Sequence, residues 1–222
     1  MMGPQESWRL IENHRLAVAD LLEGLTRQQW EHPSLCTGWR VRDVAAHLAL
    51  GTSAPPVRVM IREALRARGD FDRLNHDLAV RHGQRPPSAI TTELRRNAGS
   101  RDLPAVTNYR NIVFDVLVHG QDIAIPLGET LPFSPAAGAA AAENLWRLRW
   151  PWSTQHRFRG LSFSATDTDW SAGDGSLIRG PVRSVLLALA GRPAALSELT
   201  GDGVPDLADR ISPPQPQPVR KP

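Results

Sequence analysis

The segment Tyr109–Gly128, YRNIVFDVLVHGQDIAIPLG, decides how the chain is read. Asp115 and His119 are four residues apart, and Asp122 is three further on. On a helix, residues at these spacings share a face. Ile112 and Val116 flank them, so the polar stripe turns toward a core rather than into water. Inward-facing carboxylates and imidazoles are costly unless something binds them. A divalent ion is one such partner. A hydrogen-bonded core pair, or an arginine against Asp122, would also serve. Pro126 and Gly128 end the helix.

Working outward toward the N-terminus, a helix from Arg40 or Val41 to Leu50 carries Val44, Ala45 and Leu48 on its apolar side. His47 lies beside them and points to the core or its edge. Asp43 sits in the first turn, where negative charge suits the helix dipole. Before it, Ser7 is expected to cap a helix running to about Leu25, with Trp8, Ile11, Val18, Leu22 and Leu25 as its stripe. Thr26 caps a short turn holding Trp30, and Pro33–Gly38 is a loop. After it, Val57–Arg68 reads as a helix and Phe71–Arg81 as weakly amphipathic. Ser88–Arg96 is a helix capped by Ser88 after two prolines. Residues 1–130 therefore read as an all-helical, antiparallel bundle with short connections.

From Leu131 the character changes. Pro132 and Pro135 mark a linker, Ala136–Leu148 an alanine-rich helix, and Trp146, Trp150 and Trp152 an aromatic cluster. Arg159–Ala165 alternates as a strand does, and Ser176–Arg179 forms a second short strand. Pro181 opens a helix that Gly191 closes, and a last short helix lies near Leu207. Residues 131–211 read as a small α/β domain. Residues 212–222 form a proline-rich, disordered tail. The fold class expected is mainly α, with a small α/β C-terminal domain.

Composition narrows the function classes. The net charge is only +3, no basic run is interleaved with aromatics, and the basic set is nearly all arginine; nucleic acid is not an expected partner. No run approaches the ~18 apolar residues of a membrane span. MMGPQESWRL lacks the apolar core of a secretory signal, so the expected location is cytoplasmic. The one cysteine, Cys36, admits no intrachain disulfide; a nucleophile or ligand role is open to it, and a buried, inert thiol is the reading preferred. His14, His32, His76, His82 and His156 sit in polar contexts and read as surface residues; the tryptophans read as packing. There is no G-x-S-x-G elbow, H-E-x-x-H or P-loop. What remains is His47 with Asp115 and His119, two imidazoles and a carboxylate suited to zinc and leaving a coordination position open. Asp122, or Asp43 on the other helix, could accept an imidazole N–H. Since histidine binds metal only when neutral, affinity is expected to fall as pH drops through about 6.5 or below.

The pieces W-R-L…L-L-x-x-L-T, Q-W…P-S-L-C-x-G-W-x-V-R-D-V-A-A-H-L and V-H-G-Q-D-I…P-L-G resemble the mycothiol-dependent maleylpyruvate isomerase family. G-D-G-S-L-I-R-G-P…L-L-A-L-A-G-R…L-T-G-D-G is similar to the C-terminal domain many members carry. The resemblance implies a DinB-like four-helix bundle and a metal triad on His47, Asp115 and His119. The family's carboxylate is typically glutamate, so Asp115 is one methylene short, and Arg40 replaces a small capping residue. The implied chemistry is that of a divalent ion, zinc above others, lowering the pKa of mycothiol's sulfur. That thiolate adds to a small electrophile, in isomerisation or thiol transfer, and no protein nucleophile is assigned. A metal-dependent hydrolase on the same bundle, and a non-catalytic metal-binding or stress-response protein, are the alternatives. The expected partners are a low-molecular-weight thiol and an electrophile, with the chain a monomer or homodimer.

Overall fold

The computed structural model describes residues 2–53, 70–103, 107–148 and 153–212. The helix read at Val57–Arg68, Trp150, Trp152 and the proline-rich tail beyond Ser212 lie outside them. The chain divides into two compact units, Met1–Asn144 and Leu145–Pro222.

In the first unit, α1 spans Pro4–Glu23. It starts at Pro4 and not after Ser7, because proline's fixed φ suits the first helical position and its missing N–H costs nothing there. Ser7 instead lies inside, 3% exposed, and donates its hydroxyl to Gly3 O at 3.0 Å. Helix α2 is the turn Arg27–Trp30. Thr26 Oγ1 accepts from Gln29 N at 3.3 Å and Gln29 Oε1 accepts from Thr26 N at 2.9 Å, a reciprocal cap. Helix α3 spans Val41–Leu50. Arg40 offers no capping oxygen, but Asp43 Oδ2 reaches back to Arg40 N at 3.0 Å, so half of that cap survives.

Helix α4 is Phe71–His82, capped by Asp70, whose side chain accepts from Arg73 N at 3.0 Å. Helix α5 is Pro87–Arg96; Pro87 opens it and Ser88 falls within the first turn rather than at the cap. Helix α6 is Tyr109–Ala124, capped by Asn108, which accepts from Arg110 N at 2.9 Å. A 3₁₀ turn, Ile125–Leu127, follows, and Gly128 closes it at φ 71°.

Helices α1, α3, α5 and α6 form a four-helix bundle: α1 and α3 each pack against both α5 and α6, and α4 packs on α3. Ile11 and Val18 of α1, Val44 of α3, Ile90 and Leu94 of α5 are all 0% exposed, and Leu117 of α6 is 1%. Full burial of each contributes about 1.5–3 kcal/mol.

Helix α7 is Pro135–Arg147. Composition puts a boundary before it, whereas the structural division falls inside it, at Asn144/Leu145. Asn144 Nδ2 donates to Asn111 Oδ1 of α6 at 3.0 Å, and Ala137, Ala141 and Ala142 are buried.

The second unit has a short helix α8, Thr154–Arg157, then β1 (Gly160–Ala165), β2 (Ser171–Gly173) and β3 (Gly175–Gly180). The strand order is β2-β1-β3, with β2 antiparallel and β3 parallel to β1. Only Asp174 separates β2 from β3, so the chain crosses the end of β1 in one step. Gly173 at φ 81° and Gly175 at φ 121° permit this, and a Cβ on Gly175 would overlap Gly160 O. Three residues are too few to show alternation, which is why β2 has no strand signature in sequence. Leu161, Phe163 and Ile178, each 0–1% exposed, line the inner face, where α9 (Val182–Leu189) packs. Helix α10, Val204–Ile211, ends the described chain. Among the described residues no helix is long and apolar enough to cross a membrane.

Candidate metal centre

Packing α3 against α6 brings His47 to Asp115 and His119. His47 Nε2 lies 3.1 Å from Asp115 Oδ1, and His119 Nε2 lies 3.6 Å from the same oxygen. One donor atom from each of the three side chains lies within 4.8 Å of the others. Bonds of about 2.0 Å to a tetrahedral ion place neighbouring nitrogen and oxygen ligands about 3.3 Å apart. The two measured separations bracket that value, so the donor set fits a divalent ion in chemistry and in spacing. Asp115, though shorter than glutamate, reaches both imidazoles. The three side chains are 13–26% exposed, leaving an approach from solvent.

Asp122 is fully buried, and its Oδ2 lies 2.8 Å from His119 Nδ1. When Nδ1 carries the proton, Nε2 presents its lone pair toward Asp115 and His47. Asp43 sits differently. Its carboxylate accepts from Arg40 N, Nε and Nη2 at 2.9–3.0 Å, so it serves the start of α3 and not the His47 ring.

The charges reinforce one another. Burial opposes ionisation of Asp115, but the His47 charge and hydrogen bond, with His119 and Arg15 behind them, draw its carboxyl down to about 2. Burial likewise opposes a charge on His47, yet Asp115 and Asp122 outweigh it and raise its pKa. A proton on His47 therefore takes the position of a cation between α3 and α6. This moves the expected pH onset of metal loss upward from the ordinary histidine value.

Three contributors escape a reading of motifs. Trp39 is 8% exposed; its indole stacks on His119 at 5.8 Å and 21° and tilts against His47 at 5.2 Å. It is thus a wall of the site and not packing alone, and its place just before the His47 helix was the available signal. Arg15 is 2% exposed and donates to Ala98 O, Ser100 O and Gly51 O at 2.9–3.2 Å. Nothing in α1's amphipathic pattern distinguishes it from a surface arginine. Cys36 is only half-buried, and its sulfur lies with His119 and Asp122 donor atoms in a second group within 4.8 Å.

His14 is not a surface residue: it is 5% exposed beneath Gly120 of α6. Burial lowers its pKa to about 4, against a hydrogen bond to the Val116 backbone that raises it. His82 is half-buried too, 2.9 Å from Glu93.

Residues 12–107 match the family model described as the mycothiol maleylpyruvate isomerase N-terminal domain. Two solved structures resemble the chain over 90% of its length and 93% of theirs, each at 14% identity. One is described as the mycothiol-dependent maleylpyruvate isomerase, with a TM-score of 0.63, and the other as a histidine-to-alanine mutant of it, at 0.64. At that identity the likeness establishes the fold. No match is found among curated proteins.

Proposed function

We propose, from the premise that residues 12–107 belong to the mycothiol maleylpyruvate isomerase N-terminal domain family, that this chain is a divalent-metal- and mycothiol-dependent isomerase or thiol transferase acting on small electrophiles. The observation that carries the reading is the convergence of His47, Asp115 and His119 at separations suited to one ion, with Asp122 orienting His119 from behind. His47, Asp115 and His119 hold the metal, zinc by the nature of the donors. When bound, the ion supplies the Lewis acidity that keeps a low-molecular-weight thiol ionised near neutral pH.

The chain's own side chains do the rest. Asp122 accepts the Nδ1 proton of His119 and selects its tautomer. Trp39 packs on both rings and limits their rotation. Arg15 adds positive potential that favours the ionised form of Asp115. Cys36 takes no covalent part.

Metal analysis of the purified protein beside His47→Ala tests the site: about one equivalent of divalent metal in the wild type and loss of it in the variant are expected. Turnover of an electrophile is then expected only with an added thiol. Turnover without any thiol would sink the thiol-dependent reading, and a metal content unchanged in His47→Ala would sink the ligand assignment.

A further inference from the structure

We infer that Cys36, His119 and Asp122 form a second, thiolate-containing cation site, which shares His119 with the first site and takes soft, thiophilic ions. The three side chains place one sulfur, one nitrogen and one oxygen within 4.8 Å of one another. Bonds of about 2.0 Å to nitrogen and oxygen and 2.3 Å to sulfur set ligands about 3.3–3.5 Å apart. Closing the group therefore needs little movement, and it falls on a loop rather than on two packed helices.

That loop is built against α6. Leu35 N donates to Asp122 O at 3.1 Å, fixing the residue before Cys36 beside the carboxylate-bearing position. Trp39 N donates to Cys36 O at 3.0 Å, and Ser34 Oγ accepts from Cys36 N at 3.1 Å, so both peptide groups of Cys36 are held. Trp39 then stacks on His119. The thiol thus lies within 4.8 Å of an Asp122 carboxylate oxygen, and that carboxylate faces Nδ1 of the imidazole, while Asp115 lies on the Nε2 side.

The chemistry of one imidazole makes the two sites exclusive. A neutral ring has a single lone pair. With the proton on Nδ1, held by Asp122, the lone pair on Nε2 serves the His47–Asp115 site. With the proton on Nε2, which lies 3.6 Å from Asp115 Oδ1, Nδ1 serves the Cys36–Asp122 site. Binding at the second site releases the Cys36 thiol proton and the Nδ1 proton to solvent, and Nε2 takes up one, for a net release of one proton. Thiolate favours soft cations and the nitrogen–oxygen set borderline ones. Exposure to a thiophilic ion would therefore switch His119 out of the first site.

The test titrates metal-free full-length chain with cadmium ion in thiol-free buffer and reads the ultraviolet thiolate-to-cadmium charge-transfer band. One equivalent is expected to produce the band in wild type and in His47→Ala, which lacks only a first-site ligand. Cys36→Ser should abolish it, and Asp122→Asn and His119→Ala should each weaken binding at least tenfold. With zinc loaded first, cadmium should displace it one for one. No band in wild type, or an affinity unchanged from wild type in Asp122→Asn and His119→Ala, would overturn the site, the latter reducing it to a cysteine acting alone. Zinc and cadmium bound together would overturn the exclusivity. A wild type that takes up cadmium through Cys36 but no zinc would remove the proposed function and leave this site standing.

Discussion

At the residue scale, His47 and Asp115 form an ion pair whose two members titrate in opposite windows. Asp115 is depressed in the fold, to about 2. Its contribution to stability is present above its unfolded value near 3.8 and is lost as pH falls through about 2. His47 is raised. Its contribution is complete below its unfolded value near 6.5 and is lost as pH rises through its higher folded value. Both are present together between about pH 4 and 6.5. In metal-free protein, the stability difference between wild type and His47→Ala should be greatest in that window and shrink above it, as read from denaturant midpoints at a series of pH values. A difference that grew steadily with pH would contradict the pairing.

At the element scale, α1 and α6 meet closely at Gly120. Gly120 is buried, and a Cβ there would overlap His14 Nε2 and press on Leu131 at 3.2 Å. The small residue is what lets a histidine ring fit between the two helices. Gly120→Ala should therefore destabilise the chain by about 1–3 kcal/mol, the cost of overpacking a filled core. Adding His14→Ala should recover part of that loss, because the space the new methyl group needs is then vacated. Urea unfolding of the single and double variants checks this, and simple additivity would refute the contact.

For the whole molecule, the bundle holds the proposed ligands on two different helices, so an ion bound by them would bind the folded chain and not the unfolded one. Zinc at a hundred times its dissociation constant should add about 2.7 kcal/mol. Calorimetry should show a rise in the melting temperature that is absent in His47→Ala. Equal shifts in the two proteins would place the ion elsewhere.

Periodicity and turn chemistry made the helices legible. The stripe of α1, the Thr26 cap and the break from α6 into the 3₁₀ turn that holds Pro126 and closes at Gly128 are local signals, and local signals are written in sequence. The polar stripe of α6 was legible for the same reason: three residues spaced by helical turns share a face whatever surrounds them. Local pattern did not carry the roles that depend on a partner far along the chain. His14 and Arg15 look like surface residues on a charged helix and are buried because α6 and the loop at Ala98–Ser100 cover them. Asp43 is equally placed, by spacing, to serve His47 or Arg40, and the Arg40 guanidinium takes it. Cys36 lies 83 residues before His119, and only the docking of its loop on α6 brings the two together. The sequence by itself determined which residues could coordinate; tertiary packing decided which of them gather around the His119 imidazole, because that is set by distances between elements and not by spacing along any one of them.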